Sequence, residues 1–327
     1  MSDTNTGRDR SGCIKGCIFG CLGLVVISIA FFGIVGVLQF RAATIAEDPT
    51  QEERRRDLPP APATASQLAD ARGSELELGD DSSSFAPTSL PTSGVGTIEL
   101  DLMVGEFTIV PYDGDSIEID ADYDQARFEL EEDFQDNGDG DWTYAISFSS
   151  KRRILGFRES RNRVEIRIPR GRPLNLTGEV KMGQSEIDLG GLWLGRVDLD
   201  VGMGQHSVDF SEPTPMPLES FSVEGRMGEV DFERLGNASP ARIDVSHSMG
   251  QMALDLEGLW RGDGEVIARC RMGECTIHTP DDVNIETERF DVAMGGRSDR
   301  RSDEAVPEGA PTLRLDMKGS MGEIRIR

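Results

Sequence analysis

His247, Cys270 and Cys275 are the residues best typed to hold a metal ion. His247 and Cys270 each stand two places before a Met-Gly pair, Met249-Gly250 and Met272-Gly273, and Cys275 follows the second pair by three places. One nitrogen and two sulfur ligands would suit zinc, but the close Cys-x-x-Cys or His-x-x-x-His spacing of structural zinc sites is absent. Small buried thiols beside a hydrogen-bonded histidine are therefore expected, and no metal or other cofactor. A disulfide between Cys270 and Cys275 is the other chemistry this pair could support.

A second candidate is the methionine series itself. Thioethers are soft ligands that suit Cu(I). A ligand stripe would have to be exposed, and the expectation here is that these methionines pack inside a narrow core, where their flexibility fills gaps. Asp136-Asn-Gly-Asp-Gly-Asp141 has the look of a calcium loop. In its best register, however, Trp142 stands where a glycine is needed and Phe148 where a glutamate is needed, so a solvated turn is expected. Asp188, Asp209, Asp231 and Asp255 are expected on an outward acidic row. The chain has only three histidines, and none lies in a nucleophile motif, so no catalytic residue is assigned.

The element that must position all of these is a repeat. Met-Gly occurs at residues 182, 203, 227, 249, 272, 294 and 321, at intervals of 21, 24, 22, 23, 22 and 27. On both sides of each pair, apolar residues alternate with polar ones: Leu199 and Val201 before Met203, then Val208 and Phe210 after it. Period two on each flank predicts two short strands joined at a glycine corner. One such unit cannot bury its apolar face alone, so coils must stack into an all-β, single-stranded solenoid. Val104-Gly105 is a weaker, earlier copy. Residues 122–169 break the period and read as an irregular insertion or a cap on the stack.

Ahead of this domain, assigned to 95–327, lie three other segments. Residues 1–16 are short and polar. Residues 17–40 are uncharged and long enough for one membrane-crossing helix. Residues 41–94, rich in Pro, Ser, Ala and acidic residues, read as a disordered tether. Arg8, Arg10 and Lys15 before the span favour an inside N-terminus and an extracytoplasmic domain. Cys13, Cys17 and Cys21 fall on one helical face at the membrane edge, where helix packing is expected and lipidation is the alternative.

A net charge of −25 excludes nucleic acid as a partner, since phosphate binding needs a basic face. Arg297, Arg300 and Arg301 form a dense basic spot on an acidic body and are a candidate partner contact.

The run from Val164 to Leu192, with its Pro-Arg-Gly turn, glycine corner and following Ile-Asp-Leu strand, resembles bacterial toast-rack domains. The stretches Cys270–Val283, Ala293–Arg301 and Ser320–Arg325 resemble the LiaF-like C-terminal domain of cell-wall-active antibiotic response proteins. The resemblance implies a membrane-linked envelope β-solenoid without catalysis, serving adhesion or envelope-stress sensing through an unidentified protein or envelope partner. A polysaccharide-active β-helix enzyme and a purely structural spacer are the alternatives. Members with several N-terminal spans differ from this chain, which has one.

Overall fold

The computed structural model describes residues 82–84, 88–90, 94–151, 161–301 and 306–327, all within one compact unit, Leu78–Arg327. The expected N-terminus 1–16, the span 17–40 with its cysteines, and the tether up to residue 81 lie outside the described residues. Among the described residues no helix is long and apolar enough to cross a membrane.

The described chain is all-β. Its strands are β1 (Ser82–Ser84), β2 (Thr88–Ser89), β3 (Gly96–Tyr112), β4 (Ser116–Asp122), β5 (Phe128–Gly138), β6 (Asp141–Ser150), β7 (Arg163–Pro169), β8 (Leu174–Asp188), β9 (Leu194–Asp209), β10 (Ser220–Glu233), β11 (Arg242–Asp255), β12 (Gly264–His278), β13 (Asn284–Asp299) and β14 (Thr312–Ile326). β3 and β8–β14 are long strands that each run through one Val-Gly or Met-Gly corner. They pair in parallel and in register, so that Val104 faces Met182, Met182 faces Met203, and the match continues through Met227, Met249 and Met272. The glycines of the seven Met-Gly corners all have positive φ, for example 124° at Gly228 and 147° at Gly204. The repeat period thus translates directly into stacked coils.

Alternation fills the interior. In β9, Val197, Leu199, Val201 and Val208 are all buried, as is Phe210 just after it. Phe221 packs edge to face on Phe210 of the preceding coil and on Phe232 across its own coil, with ring centroids 5.8 and 5.5 Å apart, the geometry that aromatic quadrupoles favour.

The irregular region is a cap. β6 pairs with the first arm of β3 (Gly96–Leu102) and β7 with its second arm (Glu106–Tyr112), both in parallel, so together they stand in for one coil. β5 and β4 add antiparallel strands outside them. β1 and β2 pair with β4, so the folded domain reaches back before residue 95, into the stretch read as tether.

At the other end the coils do not stack in chain order. β12 pairs with β14, and β14 with β13, which makes β13 the edge strand. Its composition suits that place. Arg297 and Asp299 occupy the positions that Ile324 and Ile326 fill in β14, and charges on the inward side of an edge strand discourage further pairing.

Candidate functional site

The methionine column is outside, which corrects the expected inward placement. Met203, Met227, Met249, Met272 and Met321 are 40–45% exposed and Met294 is 62% exposed. The reason is the corner. The last inward residue before it stands two places ahead of the Met and the first after it three places behind, as with Val201 and His206. The four residues between them pass round the convex side of the bend, and none faces the core. The result is a ridge of thioether side chains along the solenoid. Beside it runs a polar row, in which Gln184 donates to Gln205 at 3.0 Å and Gln205 to Glu229 at 3.3 Å.

Inside the corner lies a polar column. His247 and Cys270 are register partners, as expected. Cys270 and Cys275 are buried free thiols, hydrogen-bonded to each other. That bond, and then burial, pushes the Cys275 thiol well up. Among the described residues no group of three or more His, Cys, Asp or Glu is arranged to hold a metal ion, so His247, Cys270 and Cys275 do not converge as zinc ligands. Sequence reasoning missed the rest of this column. His206 lies 2.8 Å from the buried Ser185 hydroxyl. Desolvation, and then the nearby His247, lowers its pKa to about 4. Burial lowers His247 as well, against weak backbone support from Gly228 and Met249. A serine within hydrogen-bond reach of an imidazole has the spacing of a nucleophile and base. Ser185 and His206 are 2% and 3% exposed, however, so no substrate reaches them.

The outer face of the first arms is acidic towards the cap. Asp101, Glu179, Asp200 and Glu224 stand in one register row. Asp101, Glu179 and Asp200, together with Glu99 and Asp198, border a surface cavity of about 700 Å³. Lys181 pairs with Asp101, and Arg226 reaches Glu179 at 3.2 Å and Asp200 at 3.5 Å.

The aspartate row on the second arms is corrected in one member. Asp188 faces Asp209, which faces Glu233, whereas Asp231 faces Ser207. These aspartates close loops. Asp188 accepts hydrogen bonds from the Gly190 and Ser211 amides, Asp209 pairs with Arg234, and Asp255 accepts from the Glu257 amide. Asp231 has its pKa raised by burial first and by Glu229 and Glu233 after it. In its register row it is separated from Glu186 by Ser207.

Residues Asp136–Asp141 form the β5–β6 turn, where Asp136 accepts from the Gly138 amide and Asp141 from the Val95 amide. The basic spot is largely engaged by its own coil. Arg297 donates to the Phe290 carbonyl at 3.0 Å, and Arg301 forms a two-point pair with Asp299.

This geometry defines a toast-rack type of β-solenoid. Residues 92–228 match the family described as the N-terminal domain of toast_rack, DUF2154, so that part of the chain carries a toast-rack domain. No curated protein matches the chain significantly. Among solved structures, it is similar to a candidate cell adhesion protein of Clostridium sporogenes ATCC 15579, with 13% identity, a TM-score of 0.38 and coverage of 75% of this chain and 96% of that one. A candidate adhesin of Bacteroides fragilis NCTC 9343 follows, with 11% identity, a TM-score of 0.34 and the same coverage. A candidate lipid binding protein of Parabacteroides distasonis ATCC 8503 shows 11% identity and a TM-score of 0.36, again over 75% of this chain and 96% of that one. Similarity at this level carries no inference about function.

Proposed function

We propose that this chain is a non-catalytic binding module of the cell envelope, held outside the cytoplasm by residues 17–40, whose acidic flank docks a partner carrying basic groups. The observation that carries the reading is the register row Asp101–Glu179–Asp200–Glu224, a line of carboxylates fixed one strand apart on a rigid parallel sheet. Such rows make extended, preorganised surfaces, the usual binding mode of solenoids. Complementary charge supplies specificity and encounter rate.

The test is capture in crosslinked cells by the full chain and by a Glu179→Lys, Asp198→Lys, Asp200→Lys variant. Loss of the partner with an unchanged melting temperature supports the docking face. Equal capture by both moves the face elsewhere on the solenoid. No specific partner for either chain would favour a structural spacer. A reporter fused after Arg327 that works only in the cytoplasm would reverse the membrane orientation.

A further inference from the structure

Seven of the chain's twelve methionines stand in one column, and packing does not explain them. The inward positions on either side of the corner are filled by other residues, such as Val201 and Val208. The methionines are therefore not needed as core filler: six of the seven are exposed and Met182 is half-buried. The column also survives the irregularity of the fold: although β14 inserts between β12 and β13, Met272 faces Met321 and Met321 faces Met294. An unbroken thioether ladder results, whatever path the chain takes between coils.

We propose that this methionine ridge binds a soft monovalent cation, Cu(I) or its redox-inert counterpart Ag(I), through thioether sulfurs of methionines on neighbouring coils. Thioethers are weak ligands for hard or borderline ions and good ones for soft ions. Equivalent atoms on adjacent strands repeat at about 4.8 Å. A metal–sulfur bond of about 2.3 Å, the length known for zinc thiolates, lets one ion bridge two such sulfurs almost in line. Methionine's three rotatable bonds allow a third sulfur to close in. No described His, Cys, Asp or Glu cluster competes as a site for a harder ion. The net charge of −25 raises the local concentration of any cation. Binding is a simple association, with no redox change.

The test uses the full chain in detergent, labelled with ¹³C at the methionine methyls and titrated with Ag(I), and then with Cu(I) against a chromophoric chelator. Met203, Met227, Met249 and Met272 should shift on addition of Ag(I). Met252 and Met317, which are 2% and 0% exposed, are internal controls and should not. A variant carrying Met182→Leu, Met203→Leu, Met227→Leu, Met249→Leu, Met272→Leu, Met294→Leu and Met321→Leu keeps the apolar ridge and removes its sulfur. It should melt at the same temperature and bind Cu(I) at least about tenfold more weakly, since loss of a metal site's outer-shell partners alone costs about 10–100-fold. The five cysteines are present in both proteins, so only the difference between them reports on the ridge. Static column methyls would overturn the proposal. So would equal Cu(I) affinity in the leucine variant, which would place the ion at the thiols.

Discussion

The hydroxyl of Ser185 and the imidazole of His206 meet at 2.8 Å inside the corner shared by β8 and β9. That contact occupies one ring nitrogen and leaves Nε2 buried without a partner. Protonating the ring would place a charge where neither water nor a carboxylate can receive it, which is why its pKa falls from 6.5 to about 4. The folded state therefore binds fewer protons than the unfolded one. The stability this group contributes is complete above pH 6.5 and is lost as pH falls towards 4, in all about 3 kcal/mol. A Ser185→Ala, His206→Leu double variant should lose this part of the acid sensitivity. Urea titrations of both proteins at pH 7 and pH 4.5 measure the difference, and parallel slopes would rule the mechanism out.

Gly228 is held at φ 124°, and a Cβ added there would stand 1.9 Å from the Gly204 carbonyl oxygen. Gly309 also has positive φ, 83°, but a Cβ there meets nothing within 4 Å. Gly309→Ala should cost about 1 kcal/mol, the left-handed penalty alone. Gly228→Ala must add the displacement of a neighbouring coil and should exceed about 3 kcal/mol. Chemical denaturation ranks the two, and equal losses would contradict tight stacking at the corner.

How much of this was legible follows from where the sequence carries a parity. The Met-Gly period set the register of every coil, because a two-residue alternation on both flanks fixes which side chains face in. It could not settle the corner residue. Counting from Val201 places Met203 inside, and counting from Val208 places it outside. Only the bend angle decides, and that is a property of the glycine dihedrals. The Ser185–His206 pair was hidden for another reason: its members are 21 residues apart and are joined only by stacking. The exchanged order of β13 and β14 left a trace that a period count overlooks. Arg297 and Asp299 stand at inward positions, a charge placement tolerable only on an outermost coil.

His247 owes its space to a glycine on the next coil. A Cβ on Gly225 would lie 2.5 Å from His247 Nδ1, and Gly225 itself is not among the positive-φ residues. Gly225→Ala should therefore destabilise through overlap alone, by about 1–3 kcal/mol. In a His247→Ala background the same change should cost close to nothing. A double-mutant cycle should return a coupling of about 1 kcal/mol or more. Additive losses would show that Gly225 serves its own backbone and not its neighbour.

Cys270 and Cys275 are poor nucleophiles in the folded chain, and this governs how their redox state can be read. The thiolate is the reactive form, yet the hydrogen bond that Cys275 donates to Cys270, and then burial, hold the Cys275 proton in place. The two side chains are 8% and 0% exposed, so a reagent has little access. Iodoacetamide at pH 8 should leave both unmodified while the protein is folded, and peptide mapping distinguishes them from the three cysteines near the N-terminus. Unfolding without reductant then exposes the state that the fold had protected. If the domain is exported, oxidation would leave the 270–275 peptide unlabelled until reductant is added. Two labels before reduction identify a dithiol and remove the disulfide. Rapid labelling of the folded chain would contradict the buried, hydrogen-bonded pair itself, whichever redox state it holds.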